Sequence, residues 1–132
     1  MACAISHVPV GVDIEQEAEA DLDFAQKFFH PEETSRINSS ENIRDSFYRH
    51  WALKESYLKC LGTGLSVPLN SFCADVSTNP PQIMRDGKRL PFVLQSWKIS
   101  DYQLAVCCRT NSSLLHCVPK KADIQDCFDV IG

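Results

Sequence analysis

From Ile43 to Leu61 the chain contains no glycine or proline, between Ser39-Ser40-Glu41 and the glycines at 62 and 64. The polar break before this span and the glycines after it predict one long helix. At about 100° per residue, Phe47, Trp51, Leu58 and Leu61 form the stripe that such a helix buries. Charge intrudes on that stripe. Glu55 and Lys59 stack one turn apart at its border, with Tyr48 on the same line, and Lys54 projects from inside it. An ordinary account is available: a Glu-to-Lys pair at i, i+4 is worth about 0.2–0.5 kcal/mol, and Lys54 could pack its stem and keep its amine wet.

The surroundings of the helix are legible in outline. Ala2 to Glu15 reads as extended, with Val8, Val10, Val12 and Ile14 alternating with His7, Pro9, Gly11 and Asp13, which predicts a strand. Leu22 to Ile37 predicts two short helices meeting near His30-Pro31. Pro31 suits the first turn of the second, and Glu32 and Glu33 suit its positive end. After Gly64 an antiparallel meander is expected. Ser71 to Val76 is strand-like, and Asp86-Gly87-Lys88 is a tight turn between Ile83–Arg85 and Arg89–Phe92. Val93–Ile99 and Tyr102–Cys108 form the clearest strand pair. The expected fold class is therefore α+β, with helices packed on a small antiparallel sheet. Residues 1–109 form the domain, and 110–132 form an extension whose structure the pattern does not decide.

Composition narrows the function. With 132 residues the chain is one domain, able to bury roughly 65–70 % of its unfolded surface. The net charge of −4 argues against nucleic acid, which needs concentrated Lys and Arg. No apolar run approaches the roughly 20 residues that span a bilayer, and the N-terminus lacks the basic and apolar regions of a secretory signal. The 7 cysteines are odd in number, irregularly spaced and without a Cys-x-x-Cys pair. They read as reduced thiols in a cytosolic protein rather than as a zinc framework.

Asp13 and Glu15 share one face of the first strand, since side chains alternate. Two carboxylates side by side repel unless a cation or proton lies between them, and hard oxygen ligands favour Mg²⁺. A solvated strand face is the plain alternative. Taken with Glu55, Lys54 and Lys59, however, the pair makes a plausible site. Three acids would hold Mg²⁺, and lysines would meet phosphate oxygens, a combination suited to attack at phosphorus.

These residues resemble a known family. Gly11-Val12-Asp13-Ile14-Glu15, then Phe28-Phe29-His30-Pro31-Glu32-Glu33, then Trp51-Ala52-Leu53-Lys54-Glu55-Ser56-Tyr57-Leu58-Lys59 resemble, in order and spacing, the signature of 4′-phosphopantetheinyl transferases. Gly62 to Leu69 matches as well, and the resemblance covers roughly residues 3 to 109. It is nearest to the two-lobed type, which includes the eukaryotic enzyme that activates aminoadipate-semialdehyde dehydrogenase and fatty acid synthase. The resemblance implies transfer of phosphopantetheine from coenzyme A to a serine of an apo acyl or peptidyl carrier protein, releasing adenosine 3′,5′-bisphosphate. By motif, Asp13, Glu15 and Glu55 would ligate Mg²⁺. Glu55, directly or through water, would take the serine proton, with Glu33 as a second candidate base. Lys59 would bind phosphate, and Lys54 would support phosphate or position Glu55.

One departure accompanies the match. In two-lobed members a homologous N-terminal lobe precedes this region and carries a Ser-His motif that grips the coenzyme's nucleotide. Ser6-His7 stands too close to Asp13 to be that motif. The expectation is thus a C-terminal half, a lobe that either self-associates to complete its site or acts only as an inactive carrier-binding module.

Overall fold

The structure, a computed structural model, describes residues 9–62 and 66–110. Strand β1 spans Val10–Gln16, helix α1 Leu22–Phe28, helix α2 Pro31–Asn38 and the long helix α3 Ile43–Leu61. Each helix starts on a side-chain cap. The Asp21 carboxylate accepts from the Phe24 N–H at 3.0 Å, His30 Nδ1 from the Glu32 N–H at 3.2 Å, and Asn42 Oδ1 from the Asp45 N–H at 3.0 Å. Caps of this kind satisfy donors that a first turn leaves unpaired and contribute about 1 kcal/mol each. Pro31 opens α2, where its missing N–H costs nothing. Helix α3 ends as Gly62 adopts a φ of +70° and returns its N–H to the Leu58 carbonyl, a conformation that disfavours any residue with a Cβ.

The strands that follow are β2 Cys73–Asp75, β3 Gln82–Arg85, β4 Lys88–Arg89, β5 Phe92–Ile99 and β6 Tyr102–Arg109. They divide between two antiparallel sheets instead of forming one meander. One has the order β2-β3-β4 and the other β1-β6-β5. The division falls at Leu90-Pro91. Pro91 has no N–H to carry a ladder onward, and the Phe92 N–H turns back to the Leu90 carbonyl at 2.8 Å. The expected tight turn is Asp86-Gly87, with φ of 52° and 75°, the pairing of positive values that a two-residue hairpin uses. Lys88 therefore belongs to β4. A short 3₁₀ turn at Leu69–Ser71 delays the start of β2 to Cys73. The strand reading of residues 1–8, the stop at Gly64 and the extension beyond Thr110 lie outside the described residues.

Register decides which side chains meet α3. Gly11, Asp13 and Glu15 lie opposite Cys107, Ala105 and Gln103 of β6, and those lie opposite Leu94, Ser96 and Lys98 of β5. Opposed residues share a face, and α3 packs on this one. The core between them includes Leu53, Tyr57, Leu58, Phe72, Ile83, Leu94 and Ala105. A second cluster seats α1 and α2 against α3, with the Phe29 ring stacked on Phe47 and Trp51 at centroid distances of 5.6 and 5.8 Å. Helix α3 is thus buried over a wider arc than its apolar stripe, taking in Ala52, Lys54 and Ser56. The result is the α+β arrangement expected, with helices on small antiparallel sheets.

Candidate active site

Strand β1 and helix α3 bring four of the expected site residues together. The strand turns Asp13 and Glu15 toward α3, since a Cβ at Gly11 on the same face would fall 2.0 Å from the Ser56 carbonyl oxygen of that helix. The helix answers with the i, i+4, i+8 ridge of Trp51, Glu55 and Lys59. Lys59 Nζ donates to Asp13 Oδ1 at 2.5 Å. Asp13 is 5 % exposed, and its Oδ2 is buried with no hydrogen-bond partner among the described residues. A carboxylate oxygen in that state is expensive without a cation or proton to face. The Lys59 side chain is 52 % exposed, so this end of the site opens to solvent.

The charges perturb one another in a consistent way. Burial, then the neighbouring Asp13 carboxylate, push Glu15 up to about 7, while a hydrogen bond from Trp51 opposes the rise. Burial and then Asp13 also raise Glu55, and Lys59 pulls it back. Lys59 is raised, first by its hydrogen bond to Asp13 and further by the charges of Glu55 and Glu15. All three carboxylates therefore act on one ammonium. Their oxygen ligands, with one Asp13 oxygen buried and unpartnered among the described residues, fit a hard divalent cation such as Mg²⁺.

Glu15 supplies a pH signature. Its folded-state value of about 7 lies above the ordinary 4.5. Between those two values the unfolded chain has released a proton that the folded chain keeps. Stability should therefore fall as pH rises from 4.5 to about 7, and this group adds no slope outside that window. In EDTA, Glu15→Gln is expected to flatten the decline in melting temperature between about pH 5 and about pH 7. An unchanged slope in the variant would assign the effect to other groups.

Glu33 and Lys54 stand elsewhere. They face each other across α2 and α3, at 2.7 Å, with both side chains 0 % exposed. Glu33 Oε1 also accepts from the His30 N–H at 2.9 Å, and Oε2 from the Ala74 N–H at 2.8 Å. Lys54 Nζ donates to the Phe72 carbonyl at 2.9 Å and lies 4.0 Å from the centre of the Phe72 ring. The amine is enclosed, not snorkelling, and burial lowers its pKa against the opposing pull of Glu33. Neither residue is among the charges that act on Glu55.

Trp51 is the residue that a reading of the stripe alone overlooks. Its indole lowers the pKa of Glu15 against the effect of burial, which makes it part of the site as well as of the aromatic cluster. The signal was present in the spacing, since Trp51, Glu55 and Lys59 share one helical ridge.

Residues 9–107 match the model of the 4′-phosphopantetheinyl transferase superfamily. The 4′-phosphopantetheinyl transferase gsp of Aneurinibacillus migulanus is 34 % identical over 128 residues, covering 96 % of this chain and 54 % of that protein. The rat L-aminoadipate-semialdehyde dehydrogenase-phosphopantetheinyl transferase is 37 % identical over 78 residues, covering 52 % of this chain and 25 % of that one. The chain spans about half the length of the bacterial relatives it matches. Among solved structures, the holo-[acyl-carrier-protein] synthase of Thermotoga maritima superposes with a TM-score of 0.66 at 20 % identity, over 80 % of this chain and 64 % of that one. The Helicobacter pylori synthase, in complex with coenzyme A, gives 0.60 at 18 % identity, over 75 % and 97 %. At such identity the likeness is one of fold.

Proposed function

Because this chain belongs to the 4′-phosphopantetheinyl transferase superfamily, we propose that it carries the metal and proton-transfer half of a site that moves 4′-phosphopantetheine from coenzyme A to a serine of an apo acyl or peptidyl carrier protein. The observation that carries this reading is the state of Asp13. One of its oxygens is held by Lys59, the other is buried without a hydrogen-bond partner among the described residues, and burial and then Asp13 raise the pKa of both Glu15 and Glu55.

Asp13, Glu15 and Glu55 would hold Mg²⁺, which when bound offsets charge on the coenzyme pyrophosphate. Lys59, half exposed at the rim, is placed to meet a phosphate oxygen. In the reaction the carrier serine oxygen bonds to the phosphorus of the phosphopantetheine. The bond from that phosphorus to the adenosine bisphosphate oxygen breaks, and the serine proton leaves to a base. Glu55 suits that role because it is only half-buried and stands one helical turn from the exposed Lys59, at the open end of the site. Glu33 is less suited, since its oxygens are committed to Lys54 and to two backbone amides. Lys54, enclosed by the same contacts, is better placed to fix α3 against α2, and so to position Glu55, than to touch phosphate.

A second reading rests on length. Spanning about half of its bacterial relatives, the chain would need either a second copy or a separate lobe to grip the coenzyme's nucleotide. Otherwise it is an inactive half that at most binds carrier protein. Residues 1–109 are taken as the lobe under both readings, with 110–132 as an extension. Among the described residues no helix is long and apolar enough to cross a membrane, and a cytosolic setting fits the thiols of Cys60, Cys73 and Cys107.

The test is transfer of a fluorescent pantetheine from coenzyme A to an apo carrier protein, with Mg²⁺ or EDTA, for the wild-type chain and Glu55→Ala. Metal-dependent labelling that the variant loses by at least about a hundredfold is the expected result for a complete site. No labelling by the folded wild-type chain would select the inactive-half reading. Labelling that survives both EDTA and Glu55→Ala would remove Glu55 and the metal from the mechanism.

A further inference from the structure

We propose that His30, Glu32 and Cys73 form a binding site for a zinc-class divalent cation, separate from the Asp13–Glu15–Glu55 carboxylates. Among the described residues these side chains bring an imidazole nitrogen, a carboxylate oxygen and a sulfur within 4.8 Å of one another. Tetrahedral zinc, with bonds of about 2.0–2.3 Å, holds its ligands about 3.3–3.8 Å apart. The donors therefore need to close by roughly 1 Å, within the reach of side-chain rotation. The carboxylates at Asp13 are not gathered this closely, and their chemistry differs. Oxygen alone suits Mg²⁺, whereas a nitrogen, oxygen and sulfur set selects zinc.

The scaffold is already built. His30 caps α2 and Glu32 lies in its first turn, while Cys73 opens β2 from the other side. The two elements are pinned together beside the cluster by Glu33, which accepts from the backbone amides of His30 and Ala74. Cys73 is 2 % exposed, and the group its sulfur faces is the Glu32 carboxylate, at a loose 3.9 Å. Glu32 is exposed and His30 half-buried, so a cation can enter from solvent and keep a water as its fourth ligand. On binding, the sulfur–hydrogen bond breaks, a metal–sulfur bond forms and one proton goes to solvent. His30 Nδ1 now accepts the Glu32 N–H, so ligation through that nitrogen exchanges a cap hydrogen bond for a metal bond.

The experiment titrates the full chain, reduced and in excess Mg²⁺, with Co²⁺ and then Zn²⁺. Excess Mg²⁺ masks the carboxylate site, and thiolate-to-cobalt absorption reports sulfur ligation alone. One equivalent of absorption is expected, displaced by Zn²⁺, absent in Cys73→Ser and retained in Cys60→Ser. His30→Asn keeps a capping side chain but removes the imidazole, and should weaken binding at least about tenfold. No absorption from the folded chain, or equal absorption from Cys73→Ser, would overturn the proposal.

Discussion

Lys54→Met should cost the domain about 3–5 kcal/mol, the effect of leaving a buried carboxylate without its counter-ion. The Glu33 side chain that would lose its partner is 0 % exposed. Its remaining contacts are the amides of His30 and Ala74, which solvate the charge only in part. The methionine stem replaces the apolar packing against the Phe72 and Phe29 rings, so the loss isolates the charge from the volume. A domain of this size is stable by only about 5–15 kcal/mol. The melting temperature should therefore drop by on the order of 10 °C or more, read by circular dichroism at neutral pH.

Adding Glu33→Gln to Lys54→Met should recover part of that loss, not all. Glutamine removes the charge and keeps one acceptor, but its amide presents a donor where the carboxylate had accepted an N–H. One buried amide is then left unpaired, at about 1–3 kcal/mol. If Lys54→Met melted like the wild-type chain, the pair would be no more than a weak contact, and the positioning role given to Lys54 would go with it.

That pair also marks where the sequence stops being readable. The extent of the long helix was legible, because its signals are local: the polar break at Ser39-Ser40-Glu41, an uninterrupted span and Gly62. The common face of Asp13 and Glu15 followed from the period of a strand, and the stacking of Glu55 with Lys59 from the period of a helix. Their meeting did not follow from either period, because it depends on which face of β1 turns toward α3. The partnership of Lys54 with Glu33 joins separate helices across 21 residues, and no spacing rule announces it. The His30, Glu32 and Cys73 cluster escaped for the same reason, since zinc spacing rules look for short loops and its sulfur arrives from a strand 41 residues beyond Glu32. The split into two sheets turned on Pro91, which reads as a minor interruption until its missing N–H is set beside the turn at Leu90. Short-range chemistry was legible, and long-range pairing required the fold.

Gly11→Ala is expected to damage stability and chemistry together. A Cβ at this position would fall 2.0 Å from the Ser56 carbonyl oxygen and 2.4 Å from the Cys60 amide nitrogen, both backbone atoms of α3. A flexible side chain could swing away, but helix backbone cannot. Strand β1 must instead withdraw from α3, and overpacking of that kind costs about 1–3 kcal/mol, occasionally more. The withdrawal acts on the residues one and two pleats along. Asp13 is tied to Lys59, so the strand cannot leave without stretching that contact and carrying Glu15 with it. Displacement by about 1 Å is enough to cost on the order of a hundredfold in a positioned reaction. Gly87→Ala is the control, since it also places a side chain on a glycine but meets nothing within 4 Å and lies in a hairpin turn away from the site. Transfer activity and melting temperature should fall together in Gly11→Ala. In Gly87→Ala a modest loss of stability from its positive φ should leave transfer intact. Should Gly11→Ala keep full activity, the close approach of β1 to α3 would not be what holds the acids in place. If the chain alone shows no transfer, the same comparison can be read through Mg²⁺ binding, which under the proposed function needs only Asp13, Glu15 and Glu55 to stay together.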